Sequence, residues 1–137
     1  MSDDAPDSLI PYDDVVQEAL RAVVCRVLSD VAVHGLPGEH HFYITFKTRA
    51  PGVAIPTHLM ERFPDEMTIV LQHKYWDLKV EEDHFEVGLS FSQVPAHLYV
   101  PYSALTAFVD PAVDFALQFQ VDGDDGPEPH DAAENDE

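Results

Sequence analysis

Between His40 and Val121 the sequence keeps returning to a two-residue alternation of apolar and polar side chains, in short runs cut by proline, glycine or acidic turns. Successive strand side chains point to opposite faces, so a period of two marks a strand with one buried and one solvated face. "HHFYITFKT" (40–48) sets Phe42, Ile44 and Phe46 against Tyr43, Thr45 and Lys47. "MTIVLQ" (67–72) is apolar without a break from Ile69 to Leu71, the pattern of a central strand covered on both faces. "KYWDLKV" (74–80) sets Trp76, Leu78 and Val80 against Tyr75, Asp77 and Lys79. After the acidic turn Glu81-Glu82-Asp83, "HFEVGLSF" (84–91) puts Phe85, Val87, Leu89 and Phe91 on one face, and the two runs read as a hairpin. "AHLYVP" (96–101) is a further strand, and "YSALTAF" (102–108) reads as one or two helical turns ending before Asp110-Pro111. "VDFALQFQV" (113–121) is the last strand, with Val113, Phe115, Leu117, Phe119 and Val121 sharing a face.

Upstream the period changes. Pro11 suits a first helical turn, Asp13 and Asp14 suit the positive end of the helix dipole, and Gly35 is a natural terminator, so a helix is expected over about 11–33. At about 100° per residue, Val16, Leu20, Val23, Val24, Val27, Leu28 and Val31 form one broad stripe, and Val15, Ala19 and Ala22 a second. A helix lying on a sheet needs one stripe. The second invites another partner and is either a sign of self-association or the mark of a helix fully covered within a monomer; Val16, Leu20, Val23, Val24 and Val27, from the broad stripe, are the candidate dimer contacts. Between the first two strands, Pro51-Gly52 makes a turn, Pro56 opens a short helical segment "THLMERF", and Pro64-Asp65 turns the chain back. The expected fold is α+β but mainly β: an N-terminal helix and about six antiparallel strands in a curled sheet or small open barrel.

A chain of 137 residues is one domain plus tails, large enough to bury a core without disulfides. Cys25 is its one cysteine, so a reducing compartment is the simplest setting. "MSDDAPDSLIPYDD" has neither the basic nor the apolar region of a signal peptide, and no apolar run approaches a bilayer's thickness; a cytoplasmic location is expected. The formal net charge is −19, yet thirteen of the acids lie in residues 1–14 and 122–137, where there is no Lys or Arg. Residues 15–121 hold thirteen acids against seven bases. Such a balance argues against nucleic acid or an anionic membrane as partner, since both need clustered basic residues. The domain organisation expected is an acidic tail over 1–10, one domain over 11–121 and a disordered acidic linker over 122–137, the last being either a solubility tail or a tether.

Signatures of chemistry are sparse. His40 and His41 are adjacent in a strand and point to opposite faces, so they cannot share one metal ion without a bend. Cys25 sits in the helix with no locally arranged base, and the carboxylates of Asp65-Glu66 and Glu81-Glu82-Asp83 lie in turns with no apolar setting to raise a pKa. No phosphate-binding, dinucleotide-binding or nucleophile-elbow glycine pattern occurs. Neither catalysis nor a metal or other cofactor is expected, which leaves a binding module. Tyr75, Trp76, Phe91 and Val94 offer apolar area near Gln72, Ser92 and Gln93, the usual lining of a groove for an extended peptide. The alternative at this level is that the aromatics are core and the polar residues mere edges.

"PGVAIP" after "HFYITFKT", then "TIVLQ", "VGLSFSQVPAHLYVPYSALTAF" and "DPAVDFALQF", taken in order and spacing, resemble the stringent starvation protein B family in its alphaproteobacterial form, from about Tyr12 to Gln120. The resemblance implies a homodimer joined through the N-terminal helix, each subunit a twisted antiparallel β-fold. It implies a proteolysis adaptor that binds the ssrA peptide, which the tmRNA ribosome-rescue system appends to stalled products, and delivers the tagged protein to ClpX of the ClpXP protease. The adaptor itself is not expected to catalyse anything. Carried over by motif, the groove residues are Leu71, Gln72, Phe91, Ser92, Gln93, Val94 and Pro95, with His73, Tyr75 and Trp76 from the adjoining segment. Family members close an acidic linker with a short apolar and basic motif that docks ClpX; "DAAENDE" has none, which implies weak delivery. Two other classes stay open, a small molecule-binding open barrel and an acidic mimic of a protein surface.

Overall fold

The computed structural model describes residues 9–119. The expected disordered linker over 122–137 and nearly all of the 1–10 tail lie outside the described residues. Helix α1 spans Tyr12–His34 and a short helix α2 spans Thr57–Arg62. The strands are β1 Phe42–Lys47, β2 Glu66–Leu71, β3 Tyr75–Val80, β4 His84–Phe91, β5 Val94–Pro101, β6 Leu105–Asp110 and β7 Phe115–Gln118. They form two antiparallel sheets, β2-β1-β6-β7 and β3-β4-β5, which do not close into a barrel. The fold is mainly β with one long helix, as the alternation requires, with seven strands among the described residues rather than about six.

Helix α1 starts after Pro11 with Asp13 and Asp14 in its first turn. It stops where Gly35, at φ 81°, turns the chain and donates its N–H to the Val31 carbonyl at 2.7 Å. Glycine meets that positive φ at little cost. Val24, Leu28 and Val31 are buried, each contributing about 1.5–3 kcal/mol by leaving water. They meet the inward faces of both sheets: Phe42, Ile44 and Phe46 of β1, Phe85, Val87, Leu89 and Phe91 of β4, and Leu98 and Val100 of β5. The β4 alternation was fully legible, since every odd residue from Phe85 to Phe91 is buried. The segment from Arg49 to Asp65 joins β1 to β2 within one sheet and on its way reaches the edge of the other. It is pinned by the buried Thr48, whose hydroxyl donates to the Phe63 carbonyl at 2.8 Å, and by paired hydrogen bonds between Ala54 and Tyr99 at the β5 edge.

Four local expectations are corrected. Strand β2 is an edge of its sheet, pairing with β1; its unbroken apolar run is buried by the packing of layers, not by a central place in the hydrogen-bond ladder. Residues 102–108 are a single 3-10 turn, Tyr102–Ala104, followed by β6. There Phe46 pairs with Leu105 but Thr45 with Ala107, so Thr106 is an extra residue, and this bulge brings Leu105 and Phe108 to the core three apart, mimicking a helical period. Strand β3 has the same device: Trp76 pairs with Gly88 and Lys79 with Glu86, leaving two residues opposite Val87 and Asp77 at φ 54°. Tyr75 therefore joins Leu78 and Val80 against the core, while Trp76 turns outward at 40% exposure. The last strand is only Phe115–Gln118; Val113 lies before it, and Phe115 is exposed.

Candidate functional site

The two segments singled out in the sequence meet at one end of the three-stranded sheet. Tyr75 opens β3 opposite Leu89, two residues before Phe91, and Phe91 pairs with Val94 across a two-residue turn. The connection 72–74 and the turn Ser92-Gln93 thus project from the same end. Ser92 (φ 52°) and Gln93 (φ 67°) both occupy the left-handed region that a tight hairpin turn of this hand demands. Glycine or asparagine normally fills such positions, and a residue carrying a larger side chain there costs on the order of 1 kcal/mol or more.

The expected groove residues divide by burial. Leu71 and Phe91 are core, at 0% and 3% exposure, and Tyr75 and Gln72 are half-buried. His73, Trp76, Ser92, Gln93, Val94 and Pro95 are exposed. Pro95 pairs with Ser90, and Trp76 and His97 flank Gly88 in one row across the sheet, so Pro95, Trp76 and His97 share its outer face. The indole lies directly over Gly88: a Cβ built there falls 2.1 Å from Trp76 Nε1. A glycine inside a strand pattern is a signal of close approach, and it went unused in the sequence.

The next row of this face is Lys79, Glu86 and Tyr99. Glu86 accepts hydrogen bonds from His97 Nε2 at 2.9 Å and from His84 Nε2 at 3.1 Å, while His84 Nδ1 lies 2.8 Å from Asp83. The His84 ring stacks on Tyr99 with centroids 4.0 Å apart. Partial burial works against the charge on His84, but the bonds to Asp83 and Glu86 outweigh it and hold this imidazole above the ordinary histidine range. The bonds from His97 and His84 hold Glu86 below the usual carboxylate range, and the bond from His84 does the same for Asp83. Sequence reasoning missed this cluster because only the strand register brings His97 to Glu86.

Of the five candidate dimer contacts, Val24 is buried within the chain's own core, Leu20 and Val27 are half-buried, and Val16 and Val23 are exposed at 52% and 37%. Tyr12, Val15 and Val33 add exposed apolar area along the same helix. An apolar cavity of about 730 Å³ opens beside the C-terminal half of α1, lined by Val27, Val31, Phe42, Phe108, Val113 and Phe115. At its edge His40 pairs with Asp110, whereas His41 turns to the Glu39 carbonyl, so the two histidines engage different partners. Cys25 is half-buried and donates to the Glu81 carbonyl at 3.5 Å; the Tyr102 hydroxyl donates to the same oxygen, and burial together with Cys25 pushes the phenol pKa up. No helix of the described residues is long and apolar enough to cross a membrane.

A family model described as stringent starvation protein B (SspB) matches residues 14–137. No curated protein matches the chain.

Proposed function

This chain belongs to the stringent starvation protein B family, whose members are adaptors for the ClpXP protease, and on that footing we propose that it binds the ssrA tag of rescued nascent chains and hands the tagged protein to ClpX in the cytoplasm. The reading is of a non-catalytic adaptor working as a homodimer. Its advantage is effective concentration: a substrate held by its tag beside the unfoldase engages it in a nearly intramolecular step.

The observation that carries this reading is the meeting of the two family-like segments, 71–76 and 91–95, at one end of the three-stranded sheet, around a strained turn. The tag would lie over the exposed members of that set, Trp76, Ser92, Gln93, Val94 and Pro95, with Gln72 and His73 at the border, while Leu71, Tyr75 and Phe91 support them from below. An extended peptide suits such a surface, because side-chain amides and an aromatic plane can read alternate residues. The exposed valines of α1, Val16 and Val23, with Leu20 and Val27 at their margin, are the proposed dimer contacts. Fluorescence anisotropy of a labelled ssrA peptide titrated with the protein tests the central claim. Saturable binding is expected, and its absence would sink the reading.

A further inference from the structure

We infer that the cluster of Asp83, His84, Glu86 and His97 is a proton-operated clamp on the sheet face that carries Trp76, so that tag binding weakens as pH rises. The inference rests on the adaptor reading only for the ligand; the clamp itself stands on the geometry of the cluster.

His84 Nδ1 faces an oxygen of Asp83 at 2.8 Å and its Nε2 faces an oxygen of Glu86 at 3.1 Å. Ionised carboxylates only accept hydrogen bonds, and a neutral imidazole donates from one nitrogen alone. Both bonds exist together only if His84 is an imidazolium. Its ring stacks on Tyr99, a π face that favours a cation, and its side chain is 12% exposed. The charged and titratable groups meeting there come from three strands and a turn: Lys79 from β3, Glu86 from β4, His97 and Tyr99 from β5, and Asp83 from the β3–β4 turn. The charges of Lys79 and protonated His84 balance those of Asp83 and Glu86. Once His84 loses its proton, a nitrogen lone pair confronts a carboxylate and one negative charge is uncompensated.

The consequence reaches the tag face through register. Glu86 is two residues from Gly88 on the same side of β4, and Gly88 lies between Trp76 and His97. Neutral His84 keeps one N–H and so one of its two bonds; in the Nδ1–H tautomer, which stays on Asp83, Glu86 is held by His97 alone and is released to reorient on the face that carries the indole. Trp76 is the chain's one tryptophan, so its emission reports on this face without a label.

Three readouts across about pH 6 to about pH 9 test the clamp: the protonation of the His84 ring nitrogens by nitrogen-detected NMR, Trp76 emission, and anisotropy of a labelled ssrA peptide. The expected results are a His84 midpoint above that of an ordinary histidine, a change in Trp76 emission at the same midpoint, and a loss of tag affinity of up to about tenfold through it. Glu86→Gln should lower the midpoint by about one pH unit. So should Asp83→Asn, which alters an 86%-exposed turn side chain and spares the core. A His84 midpoint no higher than an ordinary histidine's, or emission that stays flat while His84 titrates, overturns the clamp. Tag affinity that ignores the His84 midpoint overturns its control of binding. Absence of tag binding at every pH refutes the adaptor reading instead, and the NMR and emission curves then decide the clamp alone.

Discussion

Substituting Gly88 by alanine isolates what the Trp76 platform contributes. The backbone at Gly88 lies outside the left-handed region, so alanine strains no dihedral; its methyl group is the whole perturbation. That methyl would sit 2.1 Å from Trp76 Nε1, 2.3 Å from Cε2 and 2.6 Å from Cδ1, separations no real carbon tolerates, so the indole must leave. Trp76 is 40% exposed. A tryptophan offers about 250 Å² of surface, so about 150 Å² is covered here. Losing half of that cover at about 25 cal/mol per Å² costs about 2 kcal/mol, or about 10 °C in Tm. A domain of this size remains folded after such a loss. Differential scanning calorimetry and the emission maximum of the sole tryptophan follow the change, with a red shift expected as the indole enters water. Tag affinity should fall by about thirtyfold if the displaced indole is a main contact worth about 2 kcal/mol. In a Trp76→Val background the obstruction is gone, and Gly88→Ala should cost no more than about 0.5 kcal/mol. A Gly88→Ala protein that keeps both its Tm and its emission maximum would refute the packing argument; one that loses both yet binds the tag unchanged would remove Trp76 from the site.

Gln93→Gly relieves the left-handed strain at the hairpin turn and should raise stability by about 1 kcal/mol in urea unfolding while weakening tag binding; tighter binding would separate the strained turn from function. Val23→Glu sets a charge on the outer face of α1, where Val23 is 37% exposed, and should yield monomers in sedimentation velocity at micromolar concentration without loss of folding. A wild-type protein that is monomeric under the same conditions would contradict the dimer. Stability should also depend on pH through the His84 cluster. Asp83 and Glu86 are held below the ordinary carboxylate range and His84 above the ordinary histidine range, so their joint contribution is complete between about pH 4.5 and about pH 6.5. It is lost in acid as pH falls through the lowered carboxylate values, and in base as pH rises through the raised histidine value; Glu86→Gln should flatten both limbs in denaturant titrations, and unchanged limbs would contradict the linkage.

Where one strand residue faces one partner residue, the sequence was read correctly. Strand β4 runs from His84 to Phe91 as expected, and its inward face is the predicted one. Two of the four errors fall where the chain inserts an extra residue. The bulges at Asp77 in β3 and Thr106 in β6 shift the alternation by one, so Trp76 leaves the core and Leu105 and Phe108 reach it together. A bulge is a property of pairing, and a single strand's sequence does not carry its partner's register. The candidate site was legible as two segments and not as a surface: the alternation of β4 assigns Phe91 to the buried face, but nothing in "LQHKYW" shows that Leu71 is buried and Trp76 is not.

By itself the sequence determined one long amphipathic helix, short strands of alternating character, the proline-marked connection between the first two strands and the family, because these depend on local period, turn chemistry and motif order. Only the tertiary structure decided which valines of α1 remain in water, that β2 is an edge strand, and that Gly88 makes room for Trp76 beside a histidine held between two carboxylates. Those outcomes rest on pairing and packing: strand register sets Trp76 beside Gly88 and Glu86 beside His97, and which valines stay in water is settled only once the layers close on their common core.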